Sequence, residues 1–134
     1  MNMNDYIIDS TIILGLIFLP PNKSKEIKRF FKKNSENLYT NEFVKFQISA
    51  FLIKEFDDQE MIENVTEGLN DLPLQFLKVN DVILSTARKI SMTRKVNFFT
   101  ATYHAEAISR NETFVTLDND YYKKAKDLGN IKLI

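Results

Sequence analysis

The sequence predicts a single α/β domain in which a central parallel sheet of about five strands is flanked by helices. Short apolar runs alternate along the chain with longer segments of helical periodicity. The apolar runs show no polar alternation, as is typical of strands buried on both faces of a parallel sheet. With 134 residues and no repeat, low-complexity tract or linker, residues 1–134 are predicted to form one domain.

The amino-terminal part of the chain predicts one strand and two helical segments. Tyr6–Ile8 is rich in β-branched and aromatic side chains and ends at Asp9. The apolar segment 12–19 follows, and Pro20-Pro21 ends it because proline cannot continue a helix. The next helix is predicted over 24–33, where apolar side chains recur at helical spacing.

The middle of the chain predicts a short strand, two consecutive helices and another strand. The strand is expected at 38–40, and Asn41 is expected to cap a helix that reaches about residue 56. A second helix is predicted over about 58–69, where Gly68 ends it. The strand expected at 74–79 follows Pro73.

The carboxyl-terminal part repeats this alternation. Its predicted elements are helices at 81–91 and 98–110, a strand at 113–117, a helix at 119–128 and a strand at 131–134. Right-handed crossovers place the carboxyl ends of all the parallel strands along one edge of the sheet. In open α/β folds this edge is where ligands bind.

Composition narrows the chemistry that this edge can carry. The chain has no Cys and a single His, which excludes disulfides, thiol nucleophiles and zinc sites that need two His or Cys ligands. Its three Gly are far apart and form no phosphate-binding loop. Carboxylates, hydroxyls, amines and a metal ion held by oxygen atoms remain available.

Three acidic residues follow predicted strands. Asp9 ends the first strand, Glu42 lies just past the strand at 38–40, and Asp118 closes the strand at 113–117. Clustered carboxylates persist at neutral pH mainly when a cation lies among them, and oxygen ligands suit Mg²⁺ or Mn²⁺. The alternative is that Asp118 is an ordinary helix cap and that Glu42 only complements a helix dipole.

Four segments in register resemble the PIN domain family, and in particular its small toxins of VapC type. Ile7–Leu14 resembles the opening strand with its Asp, and Thr40–Phe43 resembles the start of the helix that supplies a Glu. Thr100–Ala107 is similar to the helix of pattern Asp-Ala-X-Tyr-X-Ala-X-Ala, and Thr116–Ala125 carries a Thr-X-Asp motif. The match covers nearly the whole chain.

The resemblance implies Mg²⁺- or Mn²⁺-dependent cleavage of RNA. It implies that Asp9, Glu42 and Asp118 bind the metal and polarise the attacking water, and that Ser10 and Thr116 orient the carboxylates. Asp120 would bind a second ion or act through water.

The chain departs from the family pattern where Thr100 replaces the third acid, and this removes a charged ligand. Thr100 would then orient a water at the site. His104 lies one turn beyond Thr100 and can reach the site, although a lone helical His more often serves packing.

Charge is balanced over the whole chain, with 18 basic and 18 acidic residues, but not locally. Residues 23–33 hold six basic side chains and one acidic side chain, whereas residues 55–75 hold seven acidic side chains and no basic one. The basic segment predicts RNA contacts or a solvated helix face. The acidic segment predicts a solvated face, with repulsion of RNA or contact with a basic partner as the alternatives. The predicted RNA-binding residues are Lys25, Lys28, Arg29 and Lys32.

Three functional hypotheses follow. The first is a metal-dependent endoribonuclease, the toxin of a toxin–antitoxin pair. Phe residues are numerous between 30 and 56, and the resemblance implies that those not needed for the core serve a homodimer face or bind an antitoxin helix. The second is a degenerate PIN domain that binds protein or RNA without cleavage, favoured by Thr100. The third is an unrelated α/β phosphatase or small-molecule hydrolase. The apolar run at 12–19 is too short to span a bilayer, and a cytoplasmic location is expected.

Overall fold

A computed structural model describes residues 5–134 of the chain. Every pair of neighbouring strands is parallel, and the strand order is β3-β2-β1-β4-β5. The five-stranded parallel sheet predicted from the sequence is therefore confirmed. Its strands are β1 (Tyr6–Ile8), β2 (Leu38–Asn41), β3 (Gln75–Leu77), β4 (Thr113–Thr116) and β5 (Ile131–Leu133).

In the described residues, seven α-helices lie between these strands in the chain, and short 3₁₀ turns follow the fourth and the seventh helices. Across residues 5–134 none of the helices has the length and apolar character needed to cross a membrane. The helices are α1 (Ser10–Phe18), α2 (Pro21–Lys33), α3 (Val44–Glu55), α4 (Gln59–Gly68), α5 (Asp81–Arg94), α6 (Phe98–Arg110) and α7 (Asn119–Ala125).

The helices form one layer on each face of the sheet. Right-handed crossovers with this strand order put α1–α4 on one face and α5–α7 on the other. Side-chain contacts agree: the Tyr6 ring of β1 meets Phe30 of α2 at 5.1 Å between centroids, and Tyr103 of α6 stacks on Phe114 of β4 at 6.0 Å. Because both faces are covered, Ile7 and Ile8 of β1 are fully buried, as the unbroken apolar run predicts.

Close packing fixes the start of α1 against the end of β4. A Cβ atom placed on Gly15 of α1 would lie 2.7 Å from a methyl of Leu117 and 2.8 Å from a methyl of Ile27 in α2. Real Cβ contacts are not that short, so a larger residue at position 15 would require these terminal methyl groups to move. The approach keeps the residues at the amino end of α1 next to the residues that follow β4.

The region after β2 differs from the sequence prediction. Asn41 was expected to cap a helix, but it is the last residue of β2 and pairs with Leu77 of β3. Its side-chain Oδ1 accepts a hydrogen bond from the Phe43 backbone N–H (2.9 Å) and closes a turn, after which α3 begins at Val44. A short polar side chain that bonds the backbone two residues ahead favours such a turn over a helix cap.

Candidate active site at the carboxyl edge of the sheet

The three acids singled out in the sequence all follow strands at the same edge of the sheet. Asp9 comes directly after β1, Glu42 directly after β2, and Asp118 two residues after the end of β4. Since the strands are parallel, these positions all lie at the carboxyl edge. Their side chains, however, make different contacts.

Asp9 is a nearly buried carboxylate, with 2 % of its surface exposed. It caps α1: its Oδ1 accepts hydrogen bonds from the backbone N–H groups of Thr11 (3.1 Å) and Ile12 (3.4 Å). Burial raises the pKa of Asp9 to about 6, against the opposing effect of its hydrogen bonds. Within residues 5–134 no Lys or Arg forms an ion pair with it.

Two threonine hydroxyls donate hydrogen bonds to the two oxygens of the Asp9 carboxylate. Thr11 Oγ1 donates to Oδ1 at 2.5 Å, and Thr116 Oγ1 donates to Oδ2 at 2.7 Å. The role expected of Thr116 thus has a geometric basis. The hydroxyl on the α1 side is that of Thr11 rather than that of Ser10, which lines a neighbouring groove.

Asp118 shares this network through Thr116. The Asp118 backbone N–H donates to Thr116 Oγ1 (3.0 Å), and Asp118 Oδ1 caps α7 by accepting from the Tyr121 N–H (3.0 Å). Burial is the main cause that raises the pKa of the Tyr121 phenol, and the negative charges of Asp9 and Asp118 raise it further. Both carboxylates therefore lie near the same hydroxyl. The helix-cap interpretation of Asp118 is correct, and it coexists with proximity to Asp9.

Glu42 and Asp120 are turned to other partners. The exposed Glu42 accepts a hydrogen bond at Oε2 from the Val79 N–H (2.6 Å), beyond β3, on the side of β2 away from Asp9. Asp120 is exposed and pairs with Lys124 at 3.3 Å. In the part of the chain that the structure describes, no group of three or more Asp, Glu or His side chains is positioned to hold a metal ion.

The amino end of α6 carries Thr100, which the sequence analysis singled out, and Tyr103, whose contacts it did not predict. Thr100 is nearly buried in the first turn, where its N–H donates to Asn97 Oδ1 (3.1 Å). Three residues on, the buried Tyr103 hydroxyl donates to Gln47 Oε1 (2.5 Å), and the charge of Asp9 adds to the effect of burial in raising the Tyr103 pKa. The spacing of Tyr103 from Thr100 on one helix face was the signal available in the sequence.

His104 serves packing, as the alternative interpretation held. It is fully buried, and its Nδ1 and Nε2 lie 2.9 Å from the Tyr121 hydroxyl and 2.7 Å from the Gly129 carbonyl oxygen. Because a carbonyl only accepts, Nε2 carries the proton and Nδ1 accepts from the phenol. Burial lowers the pKa of His104, which keeps the ring neutral.

An apolar groove of about 800 Å³ opens beside Asp9. Ser10 and Thr11 form one end, and the remaining wall comes from α1, α3 and the start of α6. Five phenylalanines contribute to this wall or its rim and are more than a third exposed: Phe18, Phe46, Phe51, Phe56 and Phe99.

The donor set at Asp9 and Asp118 fits a hard divalent cation. Asp9 is a buried anionic group that has no cationic partner among residues 5–134, and burying an unpaired charge is costly. Mg²⁺ is usually bound through one or two carboxylates together with water and substrate phosphates, so a pair of acids suffices. Glu42 and Asp120 do not take part in this pair as they are placed.

Comparisons with known proteins agree with the observed fold. A family model described as "PIN domain" matches residues 6–127. Among solved structures, a DNA-bound VapBC from Salmonella typhimurium is 17 % identical, with a TM-score of 0.72 and coverage of 98 % of each chain.

Two further structures have the same fold. VapBC2 from Rickettsia felis, bound to a promoter DNA fragment, is 13 % identical with a TM-score of 0.73. A toxin–antitoxin complex from Klebsiella pneumoniae is 11 % identical with a TM-score of 0.71. In both cases the match covers 96 % of each chain. No curated protein sequence matches the chain significantly.

Proposed function

Because the chain belongs to the PIN domain family, we propose that it is a metal-dependent endoribonuclease that acts as the toxin of a toxin–antitoxin pair. One observation carries the proposal: a buried carboxylate, Asp9, is held by two threonine hydroxyls beside Asp118 at the ligand-binding edge of a parallel sheet. Enclosing a charge in this way is costly, and a structural role alone would be better served by a neutral side chain.

Mg²⁺ or Mn²⁺ would be held by Asp9 and Asp118, and when bound it would neutralise the phosphodiester and make water a better nucleophile. The protein's own contribution is orientation. Thr11 and Thr116 fix the plane of the Asp9 carboxylate and favour its ionised form.

Further ligands need a change of side-chain position. For Glu42 to join the site, its carboxylate must leave the Val79 N–H, and for Asp120 to do so it must leave Lys124. Both residues are exposed, so these changes cost little burial. We propose Glu42 and Asp120 as further metal ligands, and the hydroxyls of Ser10 and Thr100 as further orienting groups.

RNA binding is proposed for the basic face of α2. Lys25, Lys28, Arg29 and Lys32 are all exposed and recur at intervals of three and four residues, which puts them on one side of the helix. Phosphate contacts by such a stripe are sequence-independent and weaken as salt is added.

Partners are proposed from the exposed apolar surface. The exposed phenylalanines beside the groove lie together in one patch rather than singly. Contiguous exposed apolar patches of this kind mark protein-binding sites. Of the structures with this fold named above, the one from Klebsiella pneumoniae is described as a toxin–antitoxin complex, which supports an antitoxin as one partner. A homodimer and a cytoplasmic location complete the proposal.

A second candidate function is a PIN domain that binds RNA or protein without cleaving. Two observations favour it: Thr100 supplies no charge, and Glu42 is turned toward Val79 rather than toward Asp9. Together they leave two acids at the site where the sequence suggested three.

The test compares cleavage of single-stranded RNA by the unmodified chain, by Asp9→Asn and by Asp5→Asn, each with Mg²⁺ or Mn²⁺ and with EDTA. Asp5 lies at the other end of β1 and is the matched control. The expected result is metal-dependent cleavage that falls at least about 100-fold in Asp9→Asn and is unchanged in Asp5→Asn.

Two outcomes would redirect the assignment. Cleavage that survives in Asp9→Asn would show that the site lies elsewhere. If the unmodified chain binds RNA but cleaves none with either metal, the second candidate holds, and Thr100→Asp is then expected to create metal-dependent cleavage.

A further inference from the structure

A second cleft, of about 410 Å³, lies between α2 and the edge strand β5. Tyr6 and Phe30 form its aromatic floor, and Arg29, Lys33 and Lys132 bring three positive charges to its walls. The two basic residues of α2 and the one of β5 are separated by about one hundred positions in the chain, so only the fold brings them together.

This cleft is separate from the site at Asp9. Tyr6 begins β1, and Asp9 follows the end of that strand three residues later, about 10 Å away along the strand direction. The residues that line the cleft include none of those that line the apolar groove beside Asp9. The α2 helix runs back from the carboxyl edge, so Lys33 lies at the amino edge near Tyr6.

The charge of the cleft is unbalanced. Among the described residues, the side chains that line the cleft include one acidic residue, Glu26, and three basic ones. Across residues 5–134 none of Arg29, Lys33 and Lys132 forms an ion pair, and all three are exposed. Arg29 and Lys33 lie one turn apart on α2, and Lys33 extends the basic stripe described above.

The floor of the cleft offers ring surfaces and hydrogen-bonding groups. Tyr6 and Phe30 pack edge to face with their centroids 5.1 Å apart, and both stay partly exposed. Asn34 donates from Nδ2 to the Phe30 carbonyl (2.9 Å), which leaves Oδ1 as an acceptor at the same wall. Aromatic rings beside cations are the features by which proteins bind single-stranded nucleic acid.

We propose that this cleft is an exosite that binds the backbone and a base of single-stranded RNA away from the site of cleavage. The proposal rests on the proposed function in that RNA is the substrate. An acidic protein segment would satisfy the three cations but would leave the aromatic floor without a matching partner, so the observations favour RNA.

The experiment measures equilibrium binding of a fluorescent single-stranded oligoribonucleotide about twelve nucleotides long, in EDTA so that nothing is cleaved. The test variant carries Arg29→Gln, Lys33→Gln and Lys132→Gln. The control carries Arg88→Gln, Lys89→Gln and Lys54→Gln, which removes the same number of exposed charges from α5 and α3.

The test variant is expected to bind at least about 10-fold more weakly at low salt, with a salt dependence reduced by about two units of log–log slope, because each lost phosphate contact removes about 0.7. The control keeps the affinity and slope of the unmodified chain, apart from a small effect of net charge.

The proposal is overturned if both triple variants bind RNA equally well, or if the unmodified chain binds polyglutamate of the same length more tightly than RNA. Loss of binding in the test variant together with no cleavage by the unmodified chain supports RNA binding by this cleft and refutes the nuclease. Cleavage by the unmodified chain together with unchanged binding by the test variant supports the nuclease and refutes RNA binding by this cleft.

Discussion

At the scale of the residue, Asp9 determines what the site can do. Its pKa of about 6 lies above the ordinary value of 3.8 because burial disfavours the charge. The folded state therefore binds this proton more tightly than the unfolded chain does, and stability is lost as the pH rises through about 6. Keeping Asp9 ionised at neutral pH costs about 3 kcal/mol, since one pKa unit corresponds to about 1.4 kcal/mol.

A stability measurement tests this cost. Asp9→Asn removes the charge and is expected to raise the free energy of unfolding at about pH 8 by up to about 3 kcal/mol, offset in part because an amide cannot accept every hydrogen bond at Asp9. The gain should shrink at about pH 4.5, where Asp9 is already protonated. Urea titrations at the two pH values check it, with Asp5→Asn as control, and a gain that does not depend on pH contradicts it.

At the scale of the element, His104 fastens three parts of the carboxyl-terminal half together. It lies on α6, accepts from Tyr121 of α7 and donates to the Gly129 carbonyl in the turn before β5. Tyr121 also donates its backbone N–H to Asp118, so the same contacts hold the start of α7 beside the site. Burial without a carboxylate partner explains why the ring stays neutral.

The protonation of His104 can be read directly because it is the single histidine. Its lowered pKa means that the stability it contributes is present above the ordinary pKa of 6.5 and is lost as the pH falls from 6.5 through the folded-state value. In an NMR titration the midpoint of its ring resonances should therefore lie below the ordinary value of 6.5. A midpoint at the ordinary value would show that the ring is accessible and the packing role wrong.

At the scale of the whole molecule, a net charge of zero conceals a division of charge between helices. The basic residues of α2 are exposed, and so are all seven acidic residues between 55 and 75, on and around α4. Both helices lie on the same face of the sheet, so that face carries one positive and one negative region. Polyanions would be attracted to the first region and repelled from the second.

The apolar surface at α3 leads to a prediction about assembly. Phe46 is 71 % exposed, and its replacement by Gln should weaken self-association of the chain about 10-fold or more if this face forms the homodimer. Val82→Gln on α5 is the control, since Val82 is equally exposed. Sedimentation equilibrium measures both, and equal dimerisation of the two variants contradicts the assignment of this face.

Much of the fold was predictable because local patterns carried it. Unbroken apolar runs predicted a sheet buried on both faces, and the residues at 80 and 97 cap α5 and α6 as their types suggest. The end of β2 was not predictable, because Asn41 can cap a helix or close a turn, and its pairing with Leu77 selects the turn.

The sequence by itself determined the order of elements, the placement of three acids at one edge and the exclusion of thiol and histidine chemistry. Only the tertiary structure decided which groups meet: Thr11 with Asp9, Tyr103 with Gln47, and Glu42 with Val79. It also decided that Lys132 and Arg29 line the same cleft. The reason is physical. Periodicity and capping act within a few residues, whereas the direction of a side chain depends on partners brought near by strand pairing and helix packing.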